Sequence, residues 1–243
     1  MAERRRLLGV LGGMGPLATA DFMRKLTEMT PASRDQEHVP VLVYSNPQIP
    51  DRSTAIMGRG ESPLPALLDG IARLQDGGAE AIAIPCNTAH YWYDEMAAAS
   101  RVPILHIVGS VCGVLQHKGI SGGTVGVMGT AGTLHTGIYQ NYLERSGYRC
   151  VLPSEVEMAE LVMPGIVAVK AGDIPAAKKT LGTAADRLAE RGARMVVLGC
   201  TEIPLALADA SPEAAARYVD STAALAQACL DWAFDESKTG AAA

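Results

Sequence analysis

Short, largely apolar runs recur along this chain, each too brief for a helix and each bounded by glycine, proline or charge. Leu7 to Leu11, Ala81 to Ile84, Thr124 to Met128 and Met195 to Leu198 are of this kind, and a further run ends near Tyr44. Runs of this length and character read as strands buried on both faces, as in a parallel sheet. Between them, apolar positions return at helical spacing around 64–76, 91–100, 156–171, 174–191 and 221–234, and further helices open near Pro16 and Thr133. Strand and helix therefore alternate, which predicts an α/β protein with parallel sheets covered by helices.

The pattern also repeats. Residues 9–19, GVLGGMGPLAT, and 126–136, GVMGTAGTLHT, agree without a gap at six of eleven positions, offset by 117. Residues 77–88, GGAEAIAIPCNT, match 191–202, RGARMVVLGCTE, offset by 114. Two matches in the same order at nearly the same separation predict a duplicated unit of about half the chain. The expected architecture is two pseudo-symmetric lobes, each a parallel sheet flanked by helices, divided near Val108 to Gly119, with 1–110 on one side and 111–220 on the other. Ligands of open α/β sheets sit beyond the carboxyl ends of the strands, where all four matched turns fall. An active site is therefore expected in the cleft between the lobes, with Cys86 and Cys200 on its two walls. Asn87, Thr88 and Thr201 are expected to cap the helices that follow.

Composition narrows the function classes. At 243 residues and 48% apolar the chain can bury a real core, which excludes disorder. A net charge of -5 offers no basic footprint for nucleic acid. No apolar run reaches the roughly 18 residues of a membrane span. Arg4-Arg5-Arg6, the apolar run after them and the small residues Ala18 and Ala20 have the outline of a secretion signal, but the same stretch is echoed inside the chain, which a leader has no reason to be. Five cysteines at wide, irregular spacing argue against a disulfide framework or a four-cysteine zinc site and point to a reducing, cytoplasmic compartment. Cys112, Cys150 and Cys229 are expected only to pack. Glu236 to Ala243 reads as a frayed tail or a fusion scar.

The duplicated cysteines carry the candidate chemistry. A thiol at a strand end before a helix N-terminus is expected to have a lowered pKa. Two such bases on opposite faces of one carbon could remove a proton from one face and return one to the other, inverting the centre.

PCNTAH (85–90), LGCTEIPL (198–205), GGMGPLAT near the start and the stretch Asn46-Pro47-Gln48-Ile49-Pro50-Asp51-Arg52 resemble the pyridoxal-phosphate-independent aspartate/glutamate racemase superfamily, the aspartate racemases most closely. Glu202 and Gly13-Met14 stand where glutamate racemases carry a histidine and an Asp-Ser pair, which moves the chain away from that branch. The resemblance implies racemisation of a small amino acid, aspartate or else glutamate, by Cys86 and Cys200 as paired bases, without metal or cofactor, in a homodimer. It implies that Asn87 and Thr88 on one lobe and Thr130, Thr133 and Thr201 on the other bind the α-amino acid portion, with Met14, Ala131 and Glu202 beside them. Arg52 and Lys170 would hold a side-chain carboxylate. The last helix would return to the first lobe, so that 221–243 joins 1–110.

Rival readings are weaker. Gly13 to Ala18 loosely satisfies a dinucleotide-binding pattern, but its repeat copy breaks it and no acidic ribose ligand follows the second strand. Cys86 and His90 are spaced like two metal ligands on a helix, without a third nearby. No lysine has the setting of a pyridoxal Schiff base. A one-cysteine isomerase or decarboxylase would not need both thiols, and neither would a non-catalytic amino-acid binder.

Overall fold

The central strand of each half pairs as the repeat requires. In a computed structural model, which describes residues 5–235, β1 (Leu8–Gly12) lies between β2 (Val41–Ser45) and β3 (Ala81–Ala83), and β4 (Ile104–Leu105) completes a four-stranded parallel sheet of order β2-β1-β3-β4. The second sheet repeats that order as β6-β5-β7-β8, built from β5 (Gly123–Met128), β6 (Tyr148–Val151), β7 (Met195–Leu198) and β8 (Tyr218–Asp220). Register is preserved too. Leu8 pairs with Ala81, and the residues at offsets 117 and 114, Val125 and Met195, pair with each other. The fold is thus two pseudo-symmetric parallel sheets flanked by helices. The stretch with the outline of a secretion signal holds a fully buried central strand, and Glu236 to Ala243 lies outside the described residues.

The helices follow in chain order. The first half has α1 (Pro16–Met29), α2 (Arg52–Ile56), α3 (Leu64–Asp76) and α4 (Tyr93–Ala99), and α5 (Ile107–His117) leads into the second. There α6 (Ala131–His135), α7 (Ile138–Arg145), α8 (Glu155–Glu157), α9 (Met163–Lys170), α10 (Ile174–Glu190), α11 (Ile203–Leu207), α12 (Pro212–Ala216) and α13 (Ser221–Phe234) complete the chain. The helical pattern over 156–171 is one continuous path broken by a π turn at Met158–Val162, directly before Pro164, which has no N–H to give to the carbonyl four residues back. The pattern over 91–100 begins instead as a 3-10 turn at Thr88–Trp92. Among the described residues no helix is long and apolar enough to cross a membrane.

Alternation along the buried strands feeds three cores. Leu11, Ile82 and Ile84 point to an outer core with Leu67, Ile71 and Leu74 of α3. Met128, Val196 and Leu198 do the same against Leu181 and Leu188 of α10. The opposite faces, Leu8, Val10, Ala81 and Ala83 from one sheet and Val125, Val127, Met195 and Val197 from the other, belong to one shared core. Side chains from α1, α5, α7 and α13 fill it, among them Phe22, Val111, Tyr139 and Leu225. Helix α13 packs against α1 and α5. The lobes are therefore joined by a continuous apolar layer whose burial opposes their separation.

The glycine in the middle of each central strand has a packing reason. A Cβ on Gly9 would lie 2.8 Å from Ala79 Cβ, and one on Gly126 would lie 3.1 Å from Leu188 Cβ and 3.2 Å from Ala193 Cβ. At both positions the helix before the neighbouring strand rests directly on the backbone.

Candidate active site

Four strand ends converge on the cleft. Beyond β1 the chain turns through Gly13-Met14-Gly15 into α1; beyond β3 come Pro85-Cys86-Asn87, beyond β5 Gly129-Thr130, and beyond β7 Gly199-Cys200-Thr201-Glu202. Cys86 and Cys200 are 4% and 5% exposed and line the same cavity of about 30 Å³. Thr88, Thr130 and Thr201 share its wall, with Asn87 and Met14. Arg52, at the start of α2, and Lys170, at the end of α9, reach it from either lobe, and Glu202 closes the ring. Two expected binding residues stay outside it. Ala131 is exposed at the start of α6, and Thr133 is fully buried behind Thr130.

The turns are tied to each other across the lobes. The hydroxyls of Thr88 and Thr133 are 2.8 Å apart, those of Thr88 and Thr130 3.1 Å, and those of Thr130 and Thr133 3.0 Å. Thr130 also caps α6 by accepting from Thr133 N–H. Ser53 donates to Thr130 Oγ1 at 3.2 Å. Gly132 permits that approach, because a Cβ there would lie 2.8 Å from Ser53 Oγ and 2.9 Å from its Cα. Behind the cavity, Tyr139 donates to Asn87 Oδ1 at 2.6 Å, Asn87 Nδ2 donates to Ser221 at 3.0 Å, and Ser221 donates to the Leu198 carbonyl at 2.8 Å. This buried chain runs from the residue after Cys86 to the strand that delivers Cys200.

Two expectations need correction. Asn87, Thr88 and Thr201 do not cap helices: the 3-10 turn after Asn87 and helix α11 after Glu202 have no side-chain cap, because these side chains are spent on contacts across the lobes or face the cavity. The Cys200 thiol is not made more acidic. Burial pushes its pKa well above the ordinary range, and the adjacent Glu202 carboxylate, which accepts from Sγ at 3.0 Å, pushes it further. A buried negative charge at contact distance outweighs the dipole of the five-residue helix beyond it. Lys170 Nζ, 4.0 Å from Glu202 Oε1 and half exposed, opposes this weakly.

His90 is fully used without any metal. Its Nδ1 is 2.9 Å from the Cys86 carbonyl, which can only accept, so Nδ1 carries the proton and Nε2 accepts from Ile107 N–H at 3.3 Å. Among the described residues no group of three or more His, Cys, Asp or Glu side chains could hold a metal ion.

Asp51 and Ser53, which also line the cavity, were not expected there. Asp51 caps α2 by accepting from Thr54 N–H at 2.8 Å, and a D-x-x-T pattern before a helix was a usable sign of where Arg52 begins its turn. Arg52 is held by the carbonyls of Ile49 and Pro50, which accept from one guanidinium nitrogen, while its buried Nε has no partner. The roles of Tyr139 and Ser221 rest on contacts over 52 and 134 positions, for which the sequence carries no local signal.

The profile of the Asp/Glu/Hydantoin racemase family matches residues 11–229. A broad specificity amino-acid racemase, RacX of Bacillus subtilis, is 29% identical over 228 residues, covering 92% of this chain and 96% of the relative. A glutamate racemase of Pseudomonas entomophila is 30% identical over 241 residues, covering 93% and 81%. The solved structure of Picrophilus torridus aspartate racemase superposes with a TM-score of 0.83 at 33% identity, with 94% of each chain covered. A match that runs through both sheets and all four strand-end turns makes this chain a member of the Asp/Glu/hydantoin racemase family, an isomerase.

Proposed function

We propose that the chain racemises a small acidic amino acid, aspartate first, by two-base proton transfer between Cys86 and Cys200. One observation carries the reading: the two cysteines come from equivalent strand ends of the two lobes and border one small cavity, and one of them is hydrogen bonded to a carboxylate. The likeness to an aspartate racemase supports the substrate, and the name of the Bacillus relative speaks for a wider range.

In this scheme the α-carboxylate meets the hydroxyls of Thr88, Thr130 and Thr201, and Arg52 and Lys170 meet the side-chain carboxylate, the guanidinium through its unpartnered Nε. The Cys86 thiolate takes the α-hydrogen from one face, and the Cys200 thiol, kept protonated by burial and by Glu202, gives its proton to the other. That step leaves Cys86 as the thiol and Cys200 as the thiolate, and the reverse reaction starts from this state: Cys200 takes the α-hydrogen and Cys86 donates its proton to the other face. Each turnover thus inverts one C–H bond with a new proton, and before the next turnover in the same direction Cys86 loses a proton to solvent and Cys200 regains one. The developing carbanion is stabilised by the hydroxyls on its carboxylate in a cavity too small for bulk water. About 30 Å³ is also too small for an amino acid, so the cavity must widen to admit it.

The test is proton exchange at Cα in D2O, read by NMR with chiral chromatography, on L- and D-aspartate without added cofactor. The parent protein should exchange and invert both, and Cys86→Ala and Cys200→Ala should each abolish inversion. If both variants still racemised aspartate at the parent rate, the two-base scheme would be wrong.

A further inference from the structure

A second chamber of about 280 Å³ adjoins the catalytic cavity and shares three lining residues with it, Arg52, Lys170 and Glu202. Beyond that charged threshold its walls change character. Pro16 and Leu17 from the first turn of α1, Pro47 from the loop after β2 and Val169 from α9 line it, with the backbone of Gly13 and Gly15. No charged side chain other than the three at the threshold lines it. Leu17 is 53% exposed, one of few large apolar side chains among the described residues to be so open, and it stands where an occupant of the chamber would cover it. A chamber that served only to pass zwitterions would gain nothing from an apolar wall, whereas one that receives part of a substrate would.

We propose that this chamber is a side-chain subsite, and that the site accepts neutral, unbranched aliphatic amino acids longer than aspartate as well as acidic ones. A four-carbon acidic substrate ends at the threshold, with its carboxylate between Arg52 and Lys170. A longer neutral chain passes those two cations and lies on Pro16, Leu17, Pro47 and Val169. The flexible, half-exposed Lys170 can swing aside without breaking a close ion pair, since Glu202 is 4.0 Å away. The proposal rests on the racemase reading above, because it requires the same two cysteines to act on the Cα of both kinds of substrate.

The experiment is a homologous series, L-2-aminobutyrate, L-norvaline and L-norleucine, beside L-aspartate, each followed by Cα deuterium exchange with the full chain. Each buried methylene should raise kcat/KM by up to about fourfold. Leu17→Trp and Pro47→Trp, both at exposed positions on different elements, should fill the chamber. Each should cut exchange of norleucine at least tenfold while aspartate stays within threefold, with unchanged circular dichroism. Aspartate exchange combined with rates that stay flat or fall along the series would overturn the subsite and leave the racemase reading standing. Equal losses for aspartate and norleucine in the filled variants would also overturn it, by making the chamber an entrance. Exchange of none of the amino acids by the parent protein would instead remove the racemase reading itself.

Discussion

Replacing His90 by glutamine should remove much of the protein's sensitivity to mild acid. His90 is buried between the Cys86 carbonyl and Ile107 N–H and uses both ring nitrogens. Burial lowers its pKa from the ordinary 6.5 to about 4, against the opposing pull of the Cys86 and Leu105 carbonyls. The unfolded chain therefore takes up a proton near pH 6.5 that the folded protein refuses until about pH 4, so this contribution to stability is complete above pH 6.5 and is lost as pH falls through that window. Integrated from pH 7 to pH 5, the difference is about 2 kcal/mol, a large share of the stability of an ordinary domain. The groups around the ring are His106, 4.9 Å between centroids, and Tyr93, stacked at 6.0 Å, with Asp94 on the same cleft. His106, lowered to about 3 first by burial and then by His90, adds a loss of the same sign in both proteins. Urea unfolding at pH 7 and pH 5, followed by tryptophan fluorescence and circular dichroism, measures the effect. His90→Gln should be less stable than the parent at pH 7 but should lose about 2 kcal/mol less between the two pH values. Equal losses in the two proteins would refute the assignment of His90 as a buried neutral tie.

The remaining predictions concern the cleft. Glu202→Gln removes the negative charge that helps keep Cys200 protonated, so the alkaline limb of the rate profile should move to lower pH and kcat should fall by about tenfold or more; a profile that does not move would leave Glu202 without a part in proton transfer. Tyr139→Phe strands the buried Asn87 Oδ1 and should cost about 1–3 kcal/mol in urea unfolding, with kcat reduced through the loosened Cys86 turn. Gly132→Val drives two methyl groups into Ser53, so KM should rise and the Ser53 to Thr130 contact should be lost, while stability changes less because the shared core lies elsewhere. Kinetics and a crystal structure of that variant would check both parts.

Much was legible in the residues themselves. Strands buried on both faces must be apolar throughout, so offsets of 117 and 114 were enough to foresee two like sheets with two cysteines at matching ends, and the equivalent register emerged with the structure. The short edge strands β4, β6 and β8 left no clear pattern, because two to four residues with mixed exposure look like any loop. What the thiols are like was a different matter. A pKa depends on what lies within a few ångströms, and only the closed lobes bury Cys200 against Glu202 and convert an expected acidic thiol into a reluctant one. The same is true of Asn87 and Thr88, which looked like helix caps while only neighbours in sequence were in view, and which in the folded protein meet Tyr139 and Thr133 of the other lobe. Local sequence specifies elements and their faces through periodicity and steric preference. Contacts over fifty or more positions are made by the packing of whole sheets, and the cleft, its electrostatics and its second chamber all belong to that packing.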